Sequence, residues 1–134
     1  MKSLVERARE EGNLRTFLLA LEKSGLETEL KDKNSLTVFA PNDNAYAKLP
    51  QKTLTEILKE KGKLADITAY HIVEGKILLE DFKKTFSLKT FQGTNLLIDP
   101  FNLRINNSKI IKPDIKAENG IIHIIDEVLS PYVK

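Results

Sequence analysis

The stretch Gly120-Ile121-Ile122-His123-Ile124-Ile125-Asp126-Glu127-Val128 constrains this chain more than any other. Side chains alternate across a strand, so Ile122, Ile124 and Val128 point one way while Ile121, His123 and Ile125 point the other. Aliphatics on both sides require a strand covered on both faces. A chain of 134 residues is long enough to supply that cover as one domain, residues 1–134, around one core.

Helices provide part of the cover. Leu14, Phe17, Leu18 and Leu21 fall at helical spacing, with Asn13 placed to cap the helix and Gly25 to end it. Leu4, Val5 and Ala8 predict a shorter helix closing near Gly12, and Leu26 and Leu30 a last helical turn before Lys31-Asp32-Lys33-Asn34. Leu36-Thr37-Val38-Phe39-Ala40 is short and partly β-branched, and Pro41 cannot extend its ladder, so a buried strand is expected there. Asn42 or Asp43 can cap a short helix that Pro50 stops, and two more helices are expected over residues 53–58 and 63–70, parted at Gly62. From His71 the pattern turns to strands: Ile72-Val73 and Lys76-Ile77 around a turn at Glu74-Gly75, then 85–91, 95–98, 103–105, 110–111 and 120–128. Helices first and strands later predict an α+β domain with an antiparallel sheet.

Composition excludes several classes. Without cysteine there is no disulfide framework, thiolate metal site or thiol nucleophile. The net charge of +2, carried mainly by Lys rather than Arg, gives no case for nucleic acid. No apolar run approaches the roughly 20 residues that span a bilayer, so no direct membrane insertion is expected. The N-terminus lacks an apolar signal core.

Three segments together resemble the fasciclin family. The first is Thr37-Val38-Phe39-Ala40-Pro41-Asn42-Asp43-Asn44-Ala45-Tyr46-Ala47-Lys48-Leu49-Pro50, a strand into Ala-Pro, a cap and a helix ending at Leu-Pro. The second is Tyr70-His71, and the third runs from Asn119-Gly120 through His123 and Asp126 to Pro131, with Asp114-Ile115 upstream. The resemblance implies a wedge of two β-sheets flanked by N-terminal and central helices. It also implies an extracellular or cell-surface adhesion module that binds a cell-surface or matrix protein or polysaccharide. On that expectation the chain is a monomer whose leader has been removed. The alternative expectation is a carrier of a hydrophobic pigment or lipid, held between helices and wedge.

The signature residues Pro41, Asn119, Gly120, His123 and Asp126 read as structural. Asn119-Gly120 reads as a turn pair, both residues tolerating positive φ. His123, among isoleucines, reads as a buried neutral histidine held by hydrogen bonds, in preference to a ligand. His71 carries two readings. At a helix end it can satisfy free carbonyls, and by the resemblance Tyr70-His71 is a partner contact on an exposed edge. Partner-binding residues are therefore expected at Tyr70, His71, Asn42 and Asp43.

Catalysis finds no support. The two histidines show no metal-ligand spacing, so neither metal nor cofactor is expected. There is no Gly-x-Ser-x-Gly elbow, and the pairs Glu10-Glu11 and Asp126-Glu127 read as solvated charges, not acid–base dyads. The isolated Gly75, Gly93 and Gly120 make no phosphate cradle, and no Arg-Gly-Asp triplet is present. Phe82-Lys83-Lys84-Thr85-Phe86-Ser87-Leu88-Lys89-Thr90-Phe91 interleaves aromatics with lysines, a pattern that can bind acidic polysaccharide, lipid headgroups or single strands. The favoured reading puts its aromatics in the core and its lysines in water. Asn106-Asn107-Ser108 is a formal glycosylation acceptor.

Overall fold

The structure, a computed structural model, describes residues 2–32, 35–84 and 86–130, with residues 31 and 32 described by backbone alone. Lys33, Asn34, Thr85 and Pro131, parts of the expected break, strand and signature, lie outside the described residues. The order is α1 (Leu4–Glu11), α2 (Arg15–Ser24), α3 (Leu26–Asp32), β1 (Leu36–Pro41), α4 (Asp43–Ala47), α5 (Gln51–Lys59), α6 (Lys61–Ala69), β2 (Ile72–Glu74), a 3-10 segment (Leu79–Lys84), β3 (Ser87–Lys89), β4 (Asn95–Asp99), β5 (Arg104–Ile105), β6 (Ser108–Ala117) and β7 (Gly120–Ile125).

Each helix has a local cause. Ser3 and Glu6 form a capping box on α1, and Gly12, at φ 80°, closes it in the left-handed region where glycine is unstrained. Asn42 caps α4 by accepting the Ala45 N–H at 2.8 Å. Two expectations need correction. Asn13 makes no side-chain cap; Asp43 Oδ1 instead accepts the Thr16 N–H of α2 at 2.9 Å from across the fold. Gly62 parts nothing, since α5 and α6 meet at Glu60 and Gly62 lies inside α6.

The strands form one ladder in the order β2-β1-β7-β6-β5-β4-β3. The β6 strand belongs to both halves: its start pairs with β5 and its remainder with β7, with register shifts at Ile110/Lys112 and Lys112/Ile115. Those bulges bend the strand and accommodate Pro113, which can sit in a ladder only at such irregularities. The two sheets of the wedge are the halves on either side of this bend. Val73 bridges Thr90, and Phe91 N–H donates to Ile72 O at 2.9 Å, so the ladder's two ends meet.

The sheet is mixed, which corrects the antiparallel expectation: β1 runs parallel to β7, from Leu36 opposite Gly120 to Pro41 opposite Ile125. Both strands are buried along their whole length, as a central parallel pair requires. One face, with Val38, Ala40, Ile122 and Ile124, packs on Leu4, Phe17 and Leu21 of the helices. The other, with Phe39 and Ile125, packs on Phe82, Leu96 and Ile105. No strand forms at Lys76-Ile77, so Gly75 turns the chain away from β2 without closing a hairpin.

The Asn119-Gly120 expectation changes its reason. Neither residue has positive φ; Gly120 is required because a Cβ there would stand 2.2 Å from Leu36 O. Asn119 is a tie point: its Oδ1 accepts the Leu4 N–H and its Nδ2 donates to Leu30 O, each at 2.9 Å.

Candidate functional site

Of the expected site residues, Asn42, His71 and Asp126 hold the chain that leaves β7, whereas Tyr70, Asp43, Asn119 and His123 bond elsewhere in the fold. Asn42 N–H donates to Ile125 O at 3.1 Å, and Lys48 Nζ to Asp126 O at 2.8 Å. Asp126 Oδ1 accepts the Lys109 N–H at 2.8 Å, and the Ser108 hydroxyl accepts the Glu127 N–H at 3.0 Å. Leu129 N–H then donates to His71 Nε2 at 2.9 Å. Residues 125–129 are thus fastened by α4, by the start of β6 and by the end of α6. Asp126 is half-buried and bonded, which corrects its reading as a freely solvated charge.

Tyr70 and His71 do not form an exposed edge: they are 4% and 0% exposed. The local pattern could not show this, because the roof over His71 comes from residues far along the chain. His71 Nδ1–H donates to Ile67 O at 2.7 Å, one turn back in α6, while its Nε2 accepts from Leu129. The helix-end reading of His71 thus holds, with a second bond that joins the helix to the chain after β7. The Tyr70 hydroxyl donates to Asn95 O at 3.3 Å and accepts from Asn106 Nδ2 at 2.9 Å. Asn106 Oδ1 accepts the Leu97 N–H at 2.8 Å. Asn106, in the left-handed region at φ 53°, was legible only as a glycosylation acceptor.

His123 is the counterpart on the other side of the sheet. Its Nε2–H donates to Ile77 O at 2.7 Å, and its Nδ1 accepts the Asp114 N–H at 3.1 Å. Asp114 lies within the second bulge of β6 at φ 56°, a conformation Asp tolerates better than most residues. The His123 ring stacks on Phe39 with centroids 5.5 Å apart. Burial pushes the imidazole of His71 down to about 4 and lowers that of His123, so both are neutral at neutral pH. They are opposite tautomers, His71 protonated on Nδ1 and His123 on Nε2, as their backbone partners dictate.

Neither ring keeps a lone pair for a ligand. Each acceptor nitrogen already takes a backbone N–H, and among the described residues no cluster of three His, Asp or Glu could hold a metal. No fully buried side-chain nitrogen or oxygen among them lacks a hydrogen-bond partner. The apolar space between helices and sheet, beside Leu4, Phe17 and Ile122, is about 10 Å³. That is room for about one water and not for a pigment or lipid, so the carrier reading gains no support. Over the fastened segment lies an open groove of about 190 Å³, lined by Asn106–Ser108 and Glu127–Ser130.

Fold and site together define an α+β scaffold whose interior polar groups hold backbone in place. The family model described as Fasciclin domain matches residues 12–131. The chain belongs to the fasciclin domain family. It is 36% identical over 130 residues to "Uncharacterized protein sll1735" of Synechocystis sp., covering 96% of this chain and 98% of that protein. It is 36% identical to the transforming growth factor-beta-induced protein ig-h3 of Sus scrofa and 31% identical to periostin of Homo sapiens. Those alignments cover 90% and 97% of this chain but only 18% and 16% of the two relatives. Among solved structures, a FAS1 domain pair from the insect cell adhesion molecule Fasciclin I matches with a TM-score of 0.71 at 19% identity. That match covers 92% of this chain and 47% of the pair, and it shows the shared fold.

Proposed function

We propose that this chain is an extracellular or cell-surface interaction module, one domain that works by binding a matrix or surface protein or polysaccharide and performs no catalysis. The observation that carries this reading is the consumption of the signature polar groups. Both ring nitrogens of each histidine, the Tyr70 hydroxyl and the Asp126 carboxylate bond to the fold itself. A catalytic or ligating group needs an unspent proton or lone pair aimed at a substrate. What remains for function is the outer surface. The description of a longer structural relative, an insect cell adhesion molecule, points the same way.

The partner surface on this reading is the groove of Asn106–Ser108 and Glu127–Ser130. Tyr70 and His71 contribute to binding by holding its walls through Asn106 and Leu129. Asn42 and Asp43 contribute likewise, anchoring Ile125 and the start of α2. The test is capture from matrix or cell-envelope extracts by the parent chain and by Asn107→Arg/Glu127→Arg, whose side chains are exposed. Retention of a component by the parent, with its loss at unchanged Tm in the variant, is expected. If the folded parent retains nothing, the adhesion reading fails.

A further inference from the structure

We propose that the end of the sheet bearing Phe86, Leu97 and Phe101 docks superficially on an anionic lipid surface. The lysine–aromatic stretch divides in the fold. Phe82 is buried and Phe91 half-buried, but Phe86 is 72% exposed, joined by Leu97 at 66% and Phe101 at 90%. They share one end of the β3–β4 pair, with Leu97 and Phe86 on opposite faces of it. Leu97 on β4 pairs with Ser87, Ile98 N–H donates to Phe86 O at 2.9 Å, and Phe101 lies in the turn joining β4 to β5. Asp99 Oδ1 accepts the N–H groups of Phe101 and Asn102 at 3.1 Å each, and Asn102 Nδ2 bonds Oδ2 at 2.8 Å. This turn is ordered, so Phe101 is held outward by structure.

Cations surround the apolar tips. Lys83 and Lys84 precede Phe86, and Lys89, Arg104 and Lys109 are exposed on β3, β5 and β6, with Arg104 opposite Lys109. Against these five cations stand three carboxylates, Glu80, Asp81 and Asp99, so the surround is net positive. Apolar tips ringed by lysines match the boundary between acyl chains and anionic headgroups. A sulphated polysaccharide would use the charges, but exposed Leu97 offers it nothing. The contact is peripheral, since no helix among the described residues is long and apolar enough to cross a membrane.

The test is co-sedimentation with phosphatidylcholine vesicles containing phosphatidylserine, against phosphatidylcholine alone. Binding to the anionic vesicles, weakened by salt, is expected. Phe86→Ser/Phe101→Ser, with its Tm unchanged, is expected to lower partitioning about tenfold or more. Lys83→Glu/Lys84→Glu is expected to lower it at least about fivefold per lysine. Four results would overturn the proposal: no binding to anionic vesicles at low salt, binding indifferent to the phenylalanine pair, a dimer that buries both rings, or capture by sulphated polysaccharide in place of vesicles. The groove keeps its own test, since Phe86, Phe101, Lys83 and Lys84 lie outside its lining.

Discussion

The backbone N–H of Leu129 donates to Nε2 of His71 across 2.9 Å, although 58 residues separate them in the chain. Through this bond a residue at the end of α6 holds the segment that leaves the central strand. The bond requires a neutral imidazole protonated on Nδ1, so the fold depends on a protonation state.

Acid should therefore loosen the protein. Burial sets the folded pKa of His71 at about 4, partly offset by its bond to Ile67 O, against an ordinary 6.5. The unfolded chain binds the proton more readily in that window, so stability is full above about 6.5 and falls as pH drops toward about 4. The loss from His71 is on the order of 3 kcal/mol. Burial lowers His123 too, with the same sign. Urea unfolding at about pH 7 and about pH 4.5 measures this; equal midpoints would remove the buried-histidine account.

Gly120→Ala should destabilise by about 2–4 kcal/mol, because the new methyl meets a carbonyl of the parallel neighbour and neither strand can yield freely. Thermal unfolding reads the effect. A variant as stable as the parent would mean that β1 and β7 are not so close.

Asp43→Ala should cost about 1 kcal/mol and speed hydrogen exchange at the Thr16 amide, since α2 has no cap of its own. Asn13→Ala should do neither. A larger effect at Asn13 would restore the local cap that the sequence suggested.

Asn106 should carry no glycan in folded protein secreted from a eukaryotic host, despite its Asn-Asn-Ser context. Both ends of its amide are committed, to Leu97 N–H and to the Tyr70 hydroxyl. Mass spectrometry before and after glycosidase treatment checks this; a folded, glycosylated form would show that the Tyr70 bond is dispensable.

Much of this architecture is legible in the residues. The doubly apolar run at Ile121–Ile125 forecasts a strand covered on both faces, and the stripe at Leu14, Phe17 and Leu21 forecasts α2. Other features leave no local trace. Apolar alternation does not encode strand direction, so the parallel pairing of β1 with β7 was hidden. Nothing in the local pattern marks Pro113-Asp114 as the bulge through which the long β6 reaches His123. The Asp43 cap, the Asn106–Tyr70 bond and the roof over His71 all join distant segments, and burial of the Tyr-His pair follows from them.

Long-range imidazole nitrogen–proton NMR correlations give the most direct test that the two histidines are structural. At neutral pH the account predicts two neutral rings in opposite tautomers, Nδ1–H for His71 and Nε2–H for His123, with His71 uncharged until the pH nears about 4. A His71 ring that titrates near 6.5, or that switches tautomer freely, would contradict it.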